Sequence, residues 1–114
     1  MTTPDAPEIP AIENAGLPDN ERMIDVREPD EWHLGHAPNA VLIPLGELPT
    51  RLAELPEHRP LYIVCRSGGR SGRAVEFLRE SGIEAVNVTG GMLAWQAAGR
   101  PMTNGEGSGT PLVQ

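Results

Sequence analysis

Short runs of apolar residues alternate along the chain with segments in which apolar residues recur every three or four positions. The runs predict buried strands, and the recurring pattern predicts helices that cover them. The predicted strands are residues 8–12, 23–26, 40–43, 61–64 and 85–88. This alternation is typical of α/β proteins with a mostly parallel sheet.

Proline, leucine and glycine positions indicate where the helices lie between these strands. Pro29 suits the first turn of a short helix that continues through Trp32. Leucines then recur three and four positions apart, at 45, 48, 52 and 55, and this spacing predicts one amphipathic helix. A longer helix follows Cys65 and ends at Gly82, which suits a helix C-terminus, and a last short helix covers 92–98.

Both ends of the chain have compositions that favour flexibility. Residues 1–8 contain two prolines and no periodic pattern, and residues 103–114 are dominated by Gly, Ser, Thr and Pro. We therefore expect one folded domain over 9–102 with a flexible segment on either side.

The length, the net charge and the short apolar runs of the chain then exclude several classes of function. A chain of 114 residues has the size of one small domain. Its net charge of −7 argues against nucleic acid or an anionic membrane surface as a partner, and its apolar runs are too short to span a bilayer. We expect a cytoplasmic protein without a cofactor. A metal site is not expected either, because His33 and His36 have no third ligand near them in the sequence.

The only cysteine, Cys65, is the candidate catalytic residue. It lies where the strand 61–64 ends and a helix begins, which is the ligand-binding edge of open α/β sheets. Gly68 and Gly69 allow successive backbone N–H groups to turn toward the sulfur and form an anion-binding cradle. The N-terminus of the following helix favours a thiolate, and so do three nearby arginines, Arg66, Arg70 and Arg73. We therefore expect the pKa of Cys65 to be lowered.

The number of residues between the cysteine and the arginine distinguishes loops that bind phosphate esters from loops for other anions. Phosphatase-type loops place five residues between the cysteine and the arginine that clamps the phosphoryl group. Here Ser71 occupies that position and Arg70 comes one residue earlier, so the cradle is one residue short for phosphate esters. Redox and arsenate chemistry are also disfavoured, because no second cysteine is present to resolve an oxidised Cys65.

Three stretches of the sequence together resemble the single-domain members of the rhodanese, or sulfurtransferase, family. Residues 24–44 resemble the N-terminal signature, with its Asp-x-Arg and Gly-His-x-Pro elements. The six-residue loop 65–70 has the length that this family associates with sulfur substrates, and residues 90–101 resemble the C-terminal signature. The resemblance implies a single α/β domain with a central five-stranded parallel sheet flanked by helices.

The resemblance also implies a reaction and roles for named residues. The Cys65 thiolate would take the outer sulfur of a small anionic donor such as thiosulfate and pass it to cyanide or a thiol. Arg66 and Arg70 would bind the donor's oxyanion, and the loop from Ser67 to Ser71 would hold the persulfide. Asp25 and Arg27 would support the loop. A second interpretation is a protein-to-protein sulfur-relay or partner-binding module with little thiosulfate turnover, and it uses the same thiol.

Overall fold

The computed structural model describes residues 9–105 and 109–114. Its five strands are β1 (Ala11–Glu13), β2 (Ile24–Asp25), β3 (Val41–Leu42), β4 (Leu61–Val64) and β5 (Ala85–Thr89). Its three α-helices are α1 (Pro29–Leu34), α2 (Gly69–Glu80) and α3 (Gly91–Ala97). Short 3₁₀ segments cover Asn14–Gly16, Leu45–Thr50 and Leu52–Glu54.

The strands form one parallel sheet in the order β1-β5-β4-β2-β3. This confirms the predicted fold class, an α/β domain with a five-stranded parallel sheet flanked by helices. Strand β4 lies in the centre, where Ile63 is in register with Ile24 of β2 and with Asn87 of β5. The carboxyl ends of β2, β4 and β5 therefore meet at one edge of the sheet.

Side-chain alternation along the strands gives the sheet an apolar layer on each face. On β4, Leu61 and Ile63 pack in one cluster with residues of α2, whereas Val64 packs in a second cluster with Met92 and Trp95 of α3. Both clusters contain fully buried side chains. The central strand is thus fixed from both sides, and the loop that follows it starts from a rigid support.

The predicted amphipathic leucine helix is wrong in type. The segment forms two 3₁₀ pieces, Leu45–Thr50 and Leu52–Glu54, with Pro49 inside the first. Proline has no N–H to donate in an α-helix, and a 3₁₀-helix also places residues three apart on one face. The apolar face is present nevertheless, because Leu48 and Leu55 are buried in the core.

The described part of the predicted flexible C-terminal segment makes main-chain contacts with the domain. Thr103 and His36 exchange backbone hydrogen bonds, and the Leu112 amide donates to Leu34 O at 3.0 Å. The Val113 amide donates to the Gln96 side chain at 2.7 Å. The main chain of Thr103, Leu112 and Val113 supplies these contacts, and the flexibility of the segment stays a prediction. Residues 1–8 lie outside the described part of the chain.

No helix among the described residues is long and apolar enough to cross a bilayer.

Candidate active site

The loop between β4 and α2 carries Cys65 at the carboxyl edge of the sheet. Gly68 in this loop has a φ of 123°, a conformation that only glycine adopts without strain. The Gly72 amide donates to Gly68 O at 3.0 Å, which starts the hydrogen bonding of α2. The chain therefore turns sharply through the loop and directly enters a helix whose N-terminus lies beside the cysteine.

The sulfur of Cys65 accepts hydrogen bonds from both the main chain and a side chain. The Gly68 amide lies 3.1 Å from Sγ, and the Ser71 hydroxyl oxygen lies 3.3 Å from it. Burial raises the pKa of the thiol, but hydrogen bonds from the Ser71 side chain and from the amides of Ser71, Gly68 and Ser67 outweigh that effect. The pKa of Cys65 is lowered, which confirms the predicted direction.

The fully buried Ser71 is held by a residue that the sequence did not single out, Asn87 of β5. Ser71 Oγ lies 2.6 Å from Asn87 Oδ1, and Asn87 Nδ2 donates to Gly68 O at 3.2 Å. A hydroxyl has one proton, so donation from Ser71 to the thiolate competes with donation to Asn87. The signal available in the sequence was a polar residue within an otherwise apolar strand.

Helix α3 holds the cysteine loop through two main-chain hydrogen bonds. The Met92 amide donates to Cys65 O at 2.8 Å, and the Leu93 amide donates to Arg66 O at 3.0 Å. Within a peptide unit the C=O and the following N–H point in opposite directions. Because these two carbonyls face α3, the amides of Arg66 and Ser67 face away from it. The α3 contacts therefore orient the donors of the cradle.

Asp25 and Arg27 form a fully buried ion pair at the end of β2. Arg27 Nη2 lies 2.7 Å from Asp25 Oδ2, and Nε lies 2.9 Å from Asp25 Oδ1. The same Nη2 donates to Gly35 O at 2.8 Å, at the end of α1. The pair thus links β2 to α1, and its predicted support of the cysteine loop stays a prediction.

Two of the three arginines predicted near the thiol, Arg66 and Arg70, have specific partners. Arg70 forms a two-fold ion pair with Glu31 of α1, with Nη1 and Nη2 at 2.7 and 2.8 Å from the two carboxylate oxygens. The hydrogen bonds from Arg70 lower the pKa of Glu31 to about 2. Arg66 is exposed and donates to the main-chain oxygen of Gln114, while Arg73 is exposed on α2. The charge of Arg70 is therefore balanced within the site.

His36 is placed as a structural residue. The His36 ring stacks on Trp32 with centroids 3.5 Å apart, and its Nδ1 lies 2.8 Å from Trp32 O. Burial lowers the pKa of His36. Within residues 9–105 and 109–114, no group of three or more His, Cys, Asp or Glu side chains is arranged to hold a metal ion.

Comparison with known proteins decides the family. The family model described as the rhodanese-like domain matches residues 11–98. The chain belongs to the rhodanese-like domain family. It is 40% identical over 79 residues to a putative sulfurtransferase, YtwF, of Bacillus subtilis, covering 69% of this chain and 77% of the relative.

Two further rhodanese-like relatives show the range of the family. A putative sulfur carrier protein of Bacillus subtilis, YrkF, is 43% identical over 74 residues, covering 64% of this chain and 40% of the relative. The crystal structure of a rhodanese-related protein from Thermoplasma volcanium has a TM-score of 0.75 and 35% identity, covering 82% of this chain and 97% of that one. Sulfurtransferases and sulfur carriers are thus both among the relatives of this rhodanese-like domain.

Replacing Ser71 in this rhodanese-like domain by alanine should raise the pKa of Cys65, because the thiolate loses its side-chain hydrogen-bond donor. The measurement is the pH dependence of the rate at which iodoacetamide alkylates the protein. Its midpoint should move upward in Ser71→Ala. The matched control is Ser81→Ala, since the Ser81 hydroxyl bonds Phe77 O at the far end of α2. Equal midpoints in all three proteins would contradict the role of Ser71.

Gly91→Ala should destabilise the fold by about 2 kcal/mol or more, because Gly91 combines a φ of 58° with close packing against the loop. A Cβ at this position would lie 2.6 Å from Arg66 O. Gly82 has a φ of 83° and open space around it, so Gly82→Ala should cost only about 1 kcal/mol. Urea unfolding of both variants measures the difference, and equal losses would show that the α3 contact is loose.

Proposed function

We propose that the protein is a sulfurtransferase that moves sulfane sulfur from thiosulfate or a similar anionic donor to cyanide or a thiol through a persulfide on Cys65. The observation that carries the proposal is the set of donors on the sulfur, the Gly68 amide and the Ser71 hydroxyl. These donors stabilise a thiolate, which is the nucleophilic form of cysteine. The sulfurtransferases among the relatives support the same class of reaction.

The proposed reaction has two balanced steps. In the first, the Cys65 thiolate attacks the outer sulfur of thiosulfate, a new S–S bond forms, and the S–S bond of thiosulfate breaks. Sulfite leaves with the electron pair, and Cys65 holds a persulfide anion. In the second, cyanide attacks the terminal sulfur, thiocyanate leaves, and the Cys65 thiolate is restored. One cysteine is sufficient, and no cofactor takes part.

The loop supplies the remaining roles in this proposal. The amides of the turn are the natural donors to the negative charge on the terminal sulfur, with Arg66 and Arg70 as donors to the oxyanion of the substrate. The substrate-binding residues are accordingly Arg66, Ser67, Gly68, Gly69, Arg70 and Ser71. Asp25 and Arg27 act as loop-supporting residues through their link to α1. We place the reaction in the cytoplasm, where reductants keep a single thiol reduced.

A second candidate function is a sulfur relay in which Cys65 receives sulfur from one protein and delivers it to another. The relative named as a sulfur carrier favours this alternative. It requires the same persulfide on the same thiol, so the two functions differ in partners and rates. Fast turnover of thiosulfate and cyanide supports the enzyme. Slow turnover together with fast sulfur exchange with a persulfidated protein supports the relay.

Incubation with thiosulfate should increase the intact mass of the protein by one sulfur atom, about 32 Da, because a covalent intermediate forms. Cyanide should then remove the added mass and release an equal amount of thiocyanate. Cys65→Ser should gain no mass, and its thermal unfolding should show that it is folded. A folded, reduced wild-type protein that gains no mass from thiosulfate or from a persulfide donor would overturn the proposed function.

A further inference from the structure

The ion pair between Arg70 and Glu31 joins the cysteine loop to α1. Both terminal nitrogens of the guanidinium point at the carboxylate, which is the geometry by which arginine binds an oxyanion. The hydrogen bond to Glu31 is the main cause that raises the pKa of Arg70, and a negatively charged Cys65 adds a smaller effect in the same direction, so this guanidinium lies within electrostatic range of the thiolate. Glu31 therefore competes with the charged end of a substrate for the same side of Arg70.

Glu31 is held in this position by α1 itself. Its Oε1 also accepts the Glu28 amide at 2.9 Å, in a capping box at the helix N-terminus. The Glu31 side chain is only 16% exposed, so solvent screens its charge less than that of a surface carboxylate. With a pKa of about 2, Glu31 stays ionised throughout the neutral pH range. The negative charge beside the loop is therefore fixed.

Ion pairing balances the charges of two arginines at the site. Arg70 is balanced by Glu31, and Arg27 is balanced by the buried Asp25. A substrate anion that approaches Cys65 meets the loop amides as donors, but it also meets the Glu31 carboxylate. The repulsion from a fixed charge doubles when the charge of the substrate doubles.

We propose that Glu31 is a specificity-determining residue that favours sulfur donors with at most one negative charge beside the transferable sulfur, such as thiol persulfides, over dianionic thiosulfate. The inference rests on the proposed function and narrows its donor class. In the favoured reaction the Cys65 thiolate attacks the outer sulfur of R–S–SH. A new S–S bond forms, the S–S bond of the donor breaks, and R–S⁻ leaves with the electron pair. The proton stays with the transferred sulfur.

Two donors that share a sulfonyl-bound sulfur and differ in charge test this inference. Thiosulfate is a dianion, whereas the methanethiosulfonate anion carries one charge and leaves as methanesulfinate after the same attack. Glu31→Gln should raise kcat/KM with methanethiosulfonate about threefold and with thiosulfate about tenfold, because the repulsion scales with charge. The gain should arise mainly in KM. Equal factors for the two donors would overturn the inference.

Glu47→Gln is the matched control. Glu47 also pairs with an arginine, Arg51, at 2.9 Å, and it lies in the first 3₁₀ segment after β3, outside the loop and α1. Its loss should leave the ratio of the two kcat/KM values unchanged. Glu31→Asp keeps the charge and should keep the wild-type ratio, provided that thermal unfolding shows a folded protein. A raised ratio in Glu31→Asp would assign the effect to side-chain length and overturn the role of charge.

Alkylation of Cys65 separates this inference from the proposed function, because it involves no sulfur transfer. Iodoacetate carries one negative charge and iodoacetamide is neutral, so the ratio of their alkylation rates measures how strongly the site repels or attracts a monoanion. Glu31→Gln should raise this ratio about threefold. An unchanged ratio would overturn the inference even if thiosulfate is turned over. A raised ratio in a protein that no donor loads with sulfur would support the charge effect and overturn the sulfur-transfer proposal instead.

Discussion

Hydrogen bonds to the main chain of one loop determine what the single thiol can do. The Cys65 and Arg66 carbonyls are bonded to amides at the start of α3, and the Gly68 carbonyl is bonded to α2 and to Asn87. With these acceptors occupied on the outer side of the loop, its N–H groups face the sulfur. The sheet and both helices are needed to hold this arrangement, since each contributes one side of the support.

The charges around the thiol have a different role from the hydrogen bonds. The largest effects that lower the pKa of Cys65 come from neutral donors, namely the Ser71 hydroxyl and the loop amides. The arginines on the loop and beside it are engaged with Glu31, Asp25 and main-chain oxygens. Short-range dipoles, rather than the charges of the arginines, thus make the largest contribution to lowering the pKa of this thiol.

The parts of the fold that depend on local pattern could be predicted from the sequence. The strand at 61–64, the glycine turn after Cys65 and the lowered pKa of its thiol all follow from neighbouring residues. The leucine segment shows the limit of periodicity, because a spacing of three fits a 3₁₀-helix as well as an α-helix. Its proline was the local signal against the α-helix.

The contacts between distant residues could not be predicted in this way. Glu31 and Arg70 are separated by 39 positions, and Ser71 and Asn87 by 16. Acidic residues at a helix N-terminus have an ordinary explanation in the helix dipole, and nothing nearby in the sequence indicates a second role. Only the order of the strands, which brings β2, β4 and β5 side by side, places these residues around one sulfur.

The position of Gln114 has a practical consequence for handling the protein. Its main-chain oxygen accepts a hydrogen bond from Arg66, so the polypeptide at this point lies directly against the cysteine loop. A probe attached to the side chain of Gln114 would therefore lie close to Arg66. Labels for kinetic work are better attached elsewhere on the protein, whereas a tether placed at Gln114 would hold a chosen molecule close to the loop.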